Sequence, residues 1–278
     1  MLTIVNCIWS IVRAGQGPIT GNCGDWVQSI IANQRRLSAR FDGLLAASYR
    51  LDGARDFQTR FLPGYLQAGS RIYDIGGGKS PYLSPEEKER LDATVIGLDI
   101  DPRELLRAPA GAYDLAVCAD VTRYLGAQDA DLGICQTLLE HVRDVDAALR
   151  SIATCLRPGG RLVVFVPSGN ALYARLNRLL PTRVQQALLN LYASGRQRDI
   201  RGFPAYYDRC TPRELAATAL GHGLELEDAR YYFTSGYFSI FFPAHVLWRL
   251  WLILFRSVAG PQAAETFAMT FRKVDRAA

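Results

Sequence analysis

Arg71-Ile-Tyr-Asp-Ile-Gly-Gly-Gly-Lys-Ser80 is an apolar strand that ends on a carboxylate and runs directly into three glycines. Gly76, Gly77 and Gly78 carry no Cβ and reach positive φ easily, so a bound nucleotide can lie against bare backbone at the strand's carboxyl end. Spacing separates the familiar glycine loops. A P-loop places its leading glycine five residues before the last glycine, and that position is Tyr73, so the P-loop reading fails. A dinucleotide fingerprint beginning at Gly76 puts its third glycine on Pro81, which weakens that reading. What remains is Asp-x-Gly-x-Gly, with Asp74 two residues before Gly76.

The sequence that follows repeats the theme. Ala93 to Asp101 reads as a second buried strand whose apolar run ends on Asp99, twenty-five residues after Asp74, where a carboxylate can accept from both hydroxyls of a ribose. Ala112 to Asp120 reads as a third strand and Ala130 to Gln136 as a fourth. Leu156 to Pro167 reads as a fifth, fed by the turn Pro158-Gly159-Gly160. Strands alternating with helices and closing on carboxylates predict an α/β doubly wound sheet.

Over roughly residues 70–170 this pattern resembles the class I S-adenosylmethionine-dependent methyltransferases, including the phrase Leu138-Leu-Glu-His-Val142. Ser80 departs from it, because many members carry a further glycine there. The resemblance implies a Rossmann-like seven-stranded sheet with an antiparallel last strand, a helical cap and S-adenosylmethionine as cofactor. It implies that Asp74 faces the cofactor's amino-acid end, with Gly76, Gly77 and Gly78 against it. Asp99 then binds the ribose, with Ile100 a further cofactor contact, Asp120 and the Val121 amide meet the adenine, and Gln136 lies where methyl donor and acceptor meet. Strand-end carboxylates suit a cofactor carrying a sulfonium and an ammonium, since hydrogen bonds to charged groups contribute about 1.5–3 kcal/mol each.

With 278 residues, the chain has room for one generous α/β domain with decorations. Residues 1–65 read as an N-terminal extension and helical brace, and 66–278 as the methyltransferase domain. Within the latter, 168–212 is an acceptor cap and 237–258 an apolar segment. The hydrophobic content of 49% excludes a disordered chain. A net charge of +5, with no arginine run interleaved with aromatics, gives no nucleic-acid groove. The six cysteines have no metal-ligand spacing, so no metal is expected. Cys118 and Cys135 fall in predicted buried strands as small fillers of a reduced, cytoplasmic protein. Met1 to Val12 is apolar but lacks a basic start and an evident cleavage site, and it is not read as a signal peptide. Trp26 to Ala47 has helical spacing, with Asp25 as its expected N-cap.

After the fifth strand, Asn170 to Leu180 and Arg183 to Tyr192 read as helices and Gly195 to Arg201 as an exposed loop. Thr211-Pro-Arg-Glu214 opens a further helix with a capping box. Tyr206, Tyr207 and Arg209 stand just before it and are the candidate acceptor contacts; the competing reading makes the tyrosines packing aromatics. Leu224 to Phe233 and Glu265 to Lys273 supply the last two strands. Among three histidines, His141 is the candidate catalytic base, with Glu140 as its substitute.

Tyr237 to Phe255 is almost as long as a membrane span, but Pro243, His245 and Arg249 interrupt it. At about 100° per residue, His245, Arg249 and Arg256 share one stripe opposite a broad apolar face. Two readings stand: a helix in the membrane interface on the inner face of the cell membrane, or a cap helix buried on the core with its basic stripe wet. The leading functional reading is O-methylation of a hydroxyl on a lipid-linked, glycan or other secondary-metabolite acceptor. The alternatives are a methyltransferase for a soluble phenol or quinone, a non-catalytic nucleotide-binding regulator, and an oxidoreductase.

Overall fold

Four of the five apolar runs form parallel strands buried on both faces, which explains why they read as continuous apolar stretches rather than alternating ones. The computed structural model describes residues 23–179 and 204–274. Strands β1 (Arg71–Ile75), β2 (Thr94–Asp99), β3 (Leu115–Cys118), β4 (Ala130–Gln136) and β5 (Leu156–Pro167) are parallel. β7 (Thr266–Lys273) inserts antiparallel between β5 and β6 (Leu224–Tyr232). The resulting order is β3-β2-β1-β4-β5-β7-β6, the anticipated seven-stranded doubly wound sheet. The chain runs outward from β1 to β2 and returns on the far side to β4. The carboxyl ends of β1 and β4 therefore flank the switch point where such sheets bind ligands.

Both faces are covered. On one lie α4 (Val145–Cys155) and α6 (Pro212–Gly221), which bury Leu149, Ile152, Leu215 and Ala219. On the other lie Phe57, Phe61 and Leu62 from the segment before β1, packed with Phe165 and Tyr232. Asp56 ties that segment to β6 by accepting from the Tyr232 hydroxyl at 2.8 Å and from Arg230 at 3.0 Å.

Several boundaries differ from expectation. β3 is only four residues long, and Cys118 is exposed rather than buried. β3 is the edge strand, and residues 119–129 form turns instead of a covering helix. Cys135, Cys155 and Cys210 are buried free thiols, so Cys135 is the small filler anticipated. Helix α1 spans Cys23–Gly43, so Asp25 lies inside its first turn and is not the N-cap. The helix expected at Asn170–Leu180 is α5, Leu172–Leu179, whereas Arg183–Tyr192 and the loop Gly195–Arg201 lie outside the described residues. Thr211 caps α6 by accepting from the Glu214 amide at 3.3 Å. The Glu214 carboxylate accepts from the Thr211 hydroxyl at 2.6 Å instead of closing a capping box on the backbone.

The largest correction concerns α7, Phe242–Ala259. Its basic stripe is not wet. His245 is 1% and Arg249 0% exposed, because Asp42 of α1 accepts from His245 Nε2 at 2.8 Å and from Arg249 Nε at 2.7 Å. Arg249 is completed by Phe233 O at 2.8 Å and the Thr234 hydroxyl at 3.2 Å, and its guanidinium lies 4.4 Å from the Trp248 ring centroid. Burial pushes the Asp42 carboxyl up, but the hydrogen bonds from His245 and Arg249 outweigh it and hold the group below its ordinary range. With the cations turned inward, Leu247, Leu250, Trp251, Leu254 and Val258 face outward at 44–83% exposure. No helix among the described residues is long and apolar enough to cross a membrane.

Candidate active site

The glycine loop leaves β1 with Gly76 and Gly78 at φ of +79° and +48°, conformations that side-chain-bearing residues rarely adopt. Gly76 N donates to Leu98 O at 2.7 Å, holding the loop across the end of β2. A Cβ on Gly77 would stand 2.5 Å from an Asp74 oxygen and 2.6 Å from the Tyr113 hydroxyl, so only glycine fits. Asp74 is buried, and its Oδ2 accepts from the Tyr82 amide at 2.8 Å. No cation pairs with it among the described residues. Burial pushes its carboxyl up to about 6 against that hydrogen bond, and the charge of Asp99 adds to the rise. Such a carboxylate is poised for a cationic ligand.

Asp99 ends β2 with one oxygen accepting from the Asp101 amide at 2.9 Å. Burial raises its pKa, opposed by that bond and assisted by the charges of Asp101 and Glu104. The next side chain, Ile100, is an apolar surface 65% exposed to solvent, free to cover a flat ring. Asp120 Oδ1 accepts from both the amide and the hydroxyl of Thr122, at 2.9 and 2.8 Å. Those bonds, the backbone one foremost, hold its pKa low and leave Oδ2 outside the turn. Val121 packs against the core beside it.

A cavity of about 690 Å³ opens over the ends of β1 and β4. Asp74, Gly76, Gly77 and Gln136 line it, together with Gln58, Pro63 and Leu66 from the segment before β1. The brace is thus a wall of the site, which sequence spacing did not reveal. Thr137 also lines it and has φ of +50°, an outlier for a β-branched residue and the kind of strain found at functional positions. Tyr113 was missed as well. Its hydroxyl donates to Gly78 O at 3.0 Å, and a Cβ on Gly97 would lie 2.7 Å from its ring. Gly97 inside an apolar strand was the available signal, since a strand glycine marks a close approach.

Glu140 and His141 follow β4 in a single 3₁₀ turn. Glu140 is 4% exposed; its Oε2 has no partner, and burial lifts its pKa to about 8 despite a bond from its own amide. His141 Nδ1 lies 3.0 Å from Pro204 O, an atom that only accepts, so Nδ1 carries a hydrogen, and in the neutral ring the lone pair is on Nε2. Nε2 is 3.7 Å from Glu140 Oε1. Glu140 O accepts from the amides of Tyr206 at 2.7 Å and Tyr207 at 3.1 Å. These bonds tie the turn to the segment that borders a second cavity of about 760 Å³, lined by Tyr206, Tyr207 and Arg209 among others, although neither Glu140 nor His141 lines either cavity. Gln136 belongs to the first cavity and the three candidate acceptor contacts to the second.

The family profile described as a methyltransferase domain matches residues 73–164. The chain is 32% identical over 168 residues to a ubiquinone biosynthesis O-methyltransferase of Xanthomonas axonopodis pv. citri, covering 58% of this chain and 65% of that protein. It is 29% identical over 170 residues to the enzyme of the same name from Cupriavidus pinatubonensis, covering 59% and 63%. The chain thus spans just under two thirds of the length of these curated relatives. Among solved structures, geranyl diphosphate C-methyltransferase from Streptomyces coelicolor A3(2) shares the fold with a TM-score of 0.52, at 13% identity and 79% coverage of each chain.

Proposed function

We propose, from the premise that this chain belongs to the class I S-adenosylmethionine-dependent methyltransferases, that it methylates a hydroxyl oxygen of a small acceptor. The observation that carries the oxygen assignment is Glu140, a buried acid with no partner for one oxygen among the described residues, in the turn that follows Gln136 and Thr137 of the first cavity and whose carbonyl holds the Tyr206 and Tyr207 amides of the second. Relatives named as O-methyltransferases support it.

When bound, the cofactor supplies a methyl group on a positively charged sulfur. Asp74 pairs with its ammonium, and the Gly76–Gly78 backbone admits it without steric conflict. Asp99 accepts from the ribose hydroxyls, Ile100 covers the adenine, and Asp120 Oδ2 with the Val121 amide reads the base edge. Gln136 and Thr137 floor the meeting point. His141 Nε2 takes the proton of the acceptor hydroxyl, and the Glu140 carboxylate beside it stabilises the imidazolium. The remaining work is positioning, with the acceptor oxygen held about 3–3.5 Å from the methyl carbon and water excluded.

The acceptor is a lipid-linked, glycan or other secondary-metabolite hydroxyl, taken at the inner face of the cell membrane. The outward apolar face of α7, with Trp251 at its centre, supports that location. A second reading, a phenol or quinol acceptor, is favoured by the names of the relatives. Calorimetric titration with S-adenosylhomocysteine and with NAD tests the cofactor, and binding of NAD alone overturns the proposal. Sedimentation with anionic liposomes tests the membrane element: Trp251→Glu is expected to reduce the bound fraction several-fold, and an unchanged fraction removes that element.

A further inference from the structure

The second cavity identifies the chemical class of the acceptor. We infer that it takes a neutral, polyhydroxylated ring, a sugar or cyclitol, seated on Tyr206. This deepens the methyltransferase reading and rests on it.

The cavity's charge balance comes first. Its lining carries Arg175 and Arg209 against Asp208 and Glu214, so no net charge selects an anion or a cation. At about 760 Å³ it is within the usual range for a small-molecule site, about 300–1,000 Å³. Its wall is unlike the apolar slot that a flat phenol or quinone needs, because Asn170, Arg175, Asp208, Arg209 and Glu214 all border it. Forked amide, carboxylate and guanidinium groups suit neighbouring hydroxyls, which both donate and accept.

Several of these groups are held in place while keeping hydrogen-bonding capacity. Asp208 Oδ2 accepts from the Val145 amide at 2.9 Å, which leaves its other oxygen outside that bond. Arg175 uses one nitrogen on Asn170 Oδ1 at 3.1 Å and forms no ion pair with a described carboxylate. Arg209 reaches Asp146 only at 3.4 Å. The backbone that presents them is strained, with Tyr207 and Arg209 at φ of +53° and +47°. Strain of this kind persists where surrounding structure over-determines it, here through the bonds from the Tyr206 and Tyr207 amides to Glu140 O.

Tyr206 supplies the apolar element. The Arg143 guanidinium lies over one face of its ring, 4.9 Å from the centroid, and a ligand would stack on the opposite face. A pyranose or cyclitol ring has a face of C–H bonds and a rim of hydroxyls, matching an aromatic face ringed by polar groups. The same two amides tie the Tyr206 segment to Glu140, and the seated ring would turn a hydroxyl toward that turn.

The test is saturation-transfer NMR on the full chain saturated with S-adenosylhomocysteine, using methyl α-glycosides of mannose, galactose and rhamnose, myo-inositol and catechol as probes. At least one polyol is expected to give a signal that Tyr206→Ala weakens at least tenfold and Tyr206→Phe preserves, with catechol giving less. Unchanged S-adenosylhomocysteine affinity in both variants shows that they fold. A panel in which no polyol responds, or in which catechol binds and Tyr206→Ala changes nothing, overturns the inference. Failure of the wild-type chain to bind S-adenosylhomocysteine overturns instead the methyltransferase reading beneath it.

Discussion

The rim of β1, β2 and β4 and the α1–α7 pair solve opposite problems with the same residue types. At the rim, apolar strand interiors are buried and carboxylates are delivered to a cavity. In the α1–α7 pair, His245 and Arg249 are interior and bonded to the half-buried Asp42, while leucines and a tryptophan face out. Alternation within a strand fixes which side chains are carried to its end. Helical periodicity shows that two faces differ without showing which one turns inward. For α7 that choice is made by a carboxylate 207 residues away in the chain. One acid at the right place inverts the helix.

The contrast is most severely tested by removing that acid. Asp42→Ala leaves Arg249 buried without its counter-ion, and breaking such a pair costs about 3–5 kcal/mol. Urea unfolding is expected to show a loss of that size. Restoration by Asp42→Leu combined with Arg249→Met is the accompanying check, since an apolar replacement of both partners is tolerated where a single deletion is not. A single-mutant loss below about 1 kcal/mol would mean that the cluster is as weak as an exposed pair.

At the rim the corresponding experiment leaves the fold alone and changes binding. Asp74→Ala removes the carboxylate proposed to face the ligand's ammonium, and calorimetry is expected to show S-adenosylhomocysteine bound about a hundredfold more weakly, the loss of roughly 2.7 kcal/mol. The unfolding midpoint should not fall, because the deleted acid is buried and unpaired by any described cation. A falling midpoint with unchanged affinity would exchange the roles of the two regions.

pH sharpens the same point. With the Asp74 pKa raised to about 6 in the free protein, the carboxyl is protonated below that value, and a cationic ligand must expel the proton to pair with it. Affinity is therefore expected to be flat above pH 6 and to fall about tenfold per pH unit below it, the slope for one linked proton. Titrations from pH 5 to 7 on wild type and Asp74→Asn check this, the variant losing the slope that Asp74 causes.

What the sequence made legible follows the same division. The strands and their order of appearance are readable because each depends on neighbours within a few residues: an apolar run, its last carboxylate, a glycine. Of the proposed cofactor contacts, Asp74, Gly76, Gly77 and Gln136 line the first cavity, whereas Gly78, Asp99, Ile100, Asp120 and Val121 do not. Tyr113, Gln58 and Leu66 were not readable, since they enter the site across the sheet or from a separate segment. The wet basic stripe was wrong for the same reason, as its partner lies on α1. β3 was read too long and too buried because its apolar composition is that of an inner strand, whereas its place at the sheet's edge is a property of topology. Thr137 gave no local sign at all; its positive φ arises where the chain must turn off β4 above the cavity.

Glu140 tests whether the rim keeps a destabilising acid for the sake of chemistry. A carboxyl whose folded pKa of about 8 exceeds its unfolded value of 4.5 binds more protons in the folded state. The group's penalty is therefore absent below pH 4.5 and grows as pH rises toward 8, so stability falls across that window. Glu140→Gln keeps the shape and removes the charge. By thermal unfolding the variant should match wild type near pH 4 and exceed it at pH 9, with the gap opening between those values. Methyl transfer should fall in parallel, and the rise of wild-type rate through pH 8 should vanish. A variant that is more stable at pH 9 and still fully active would make Glu140 a tolerated burial and return the chemistry to His141 alone. A variant less stable at every pH would mean that the carboxyl is structural, and that the turn after β4 depends on it for shape.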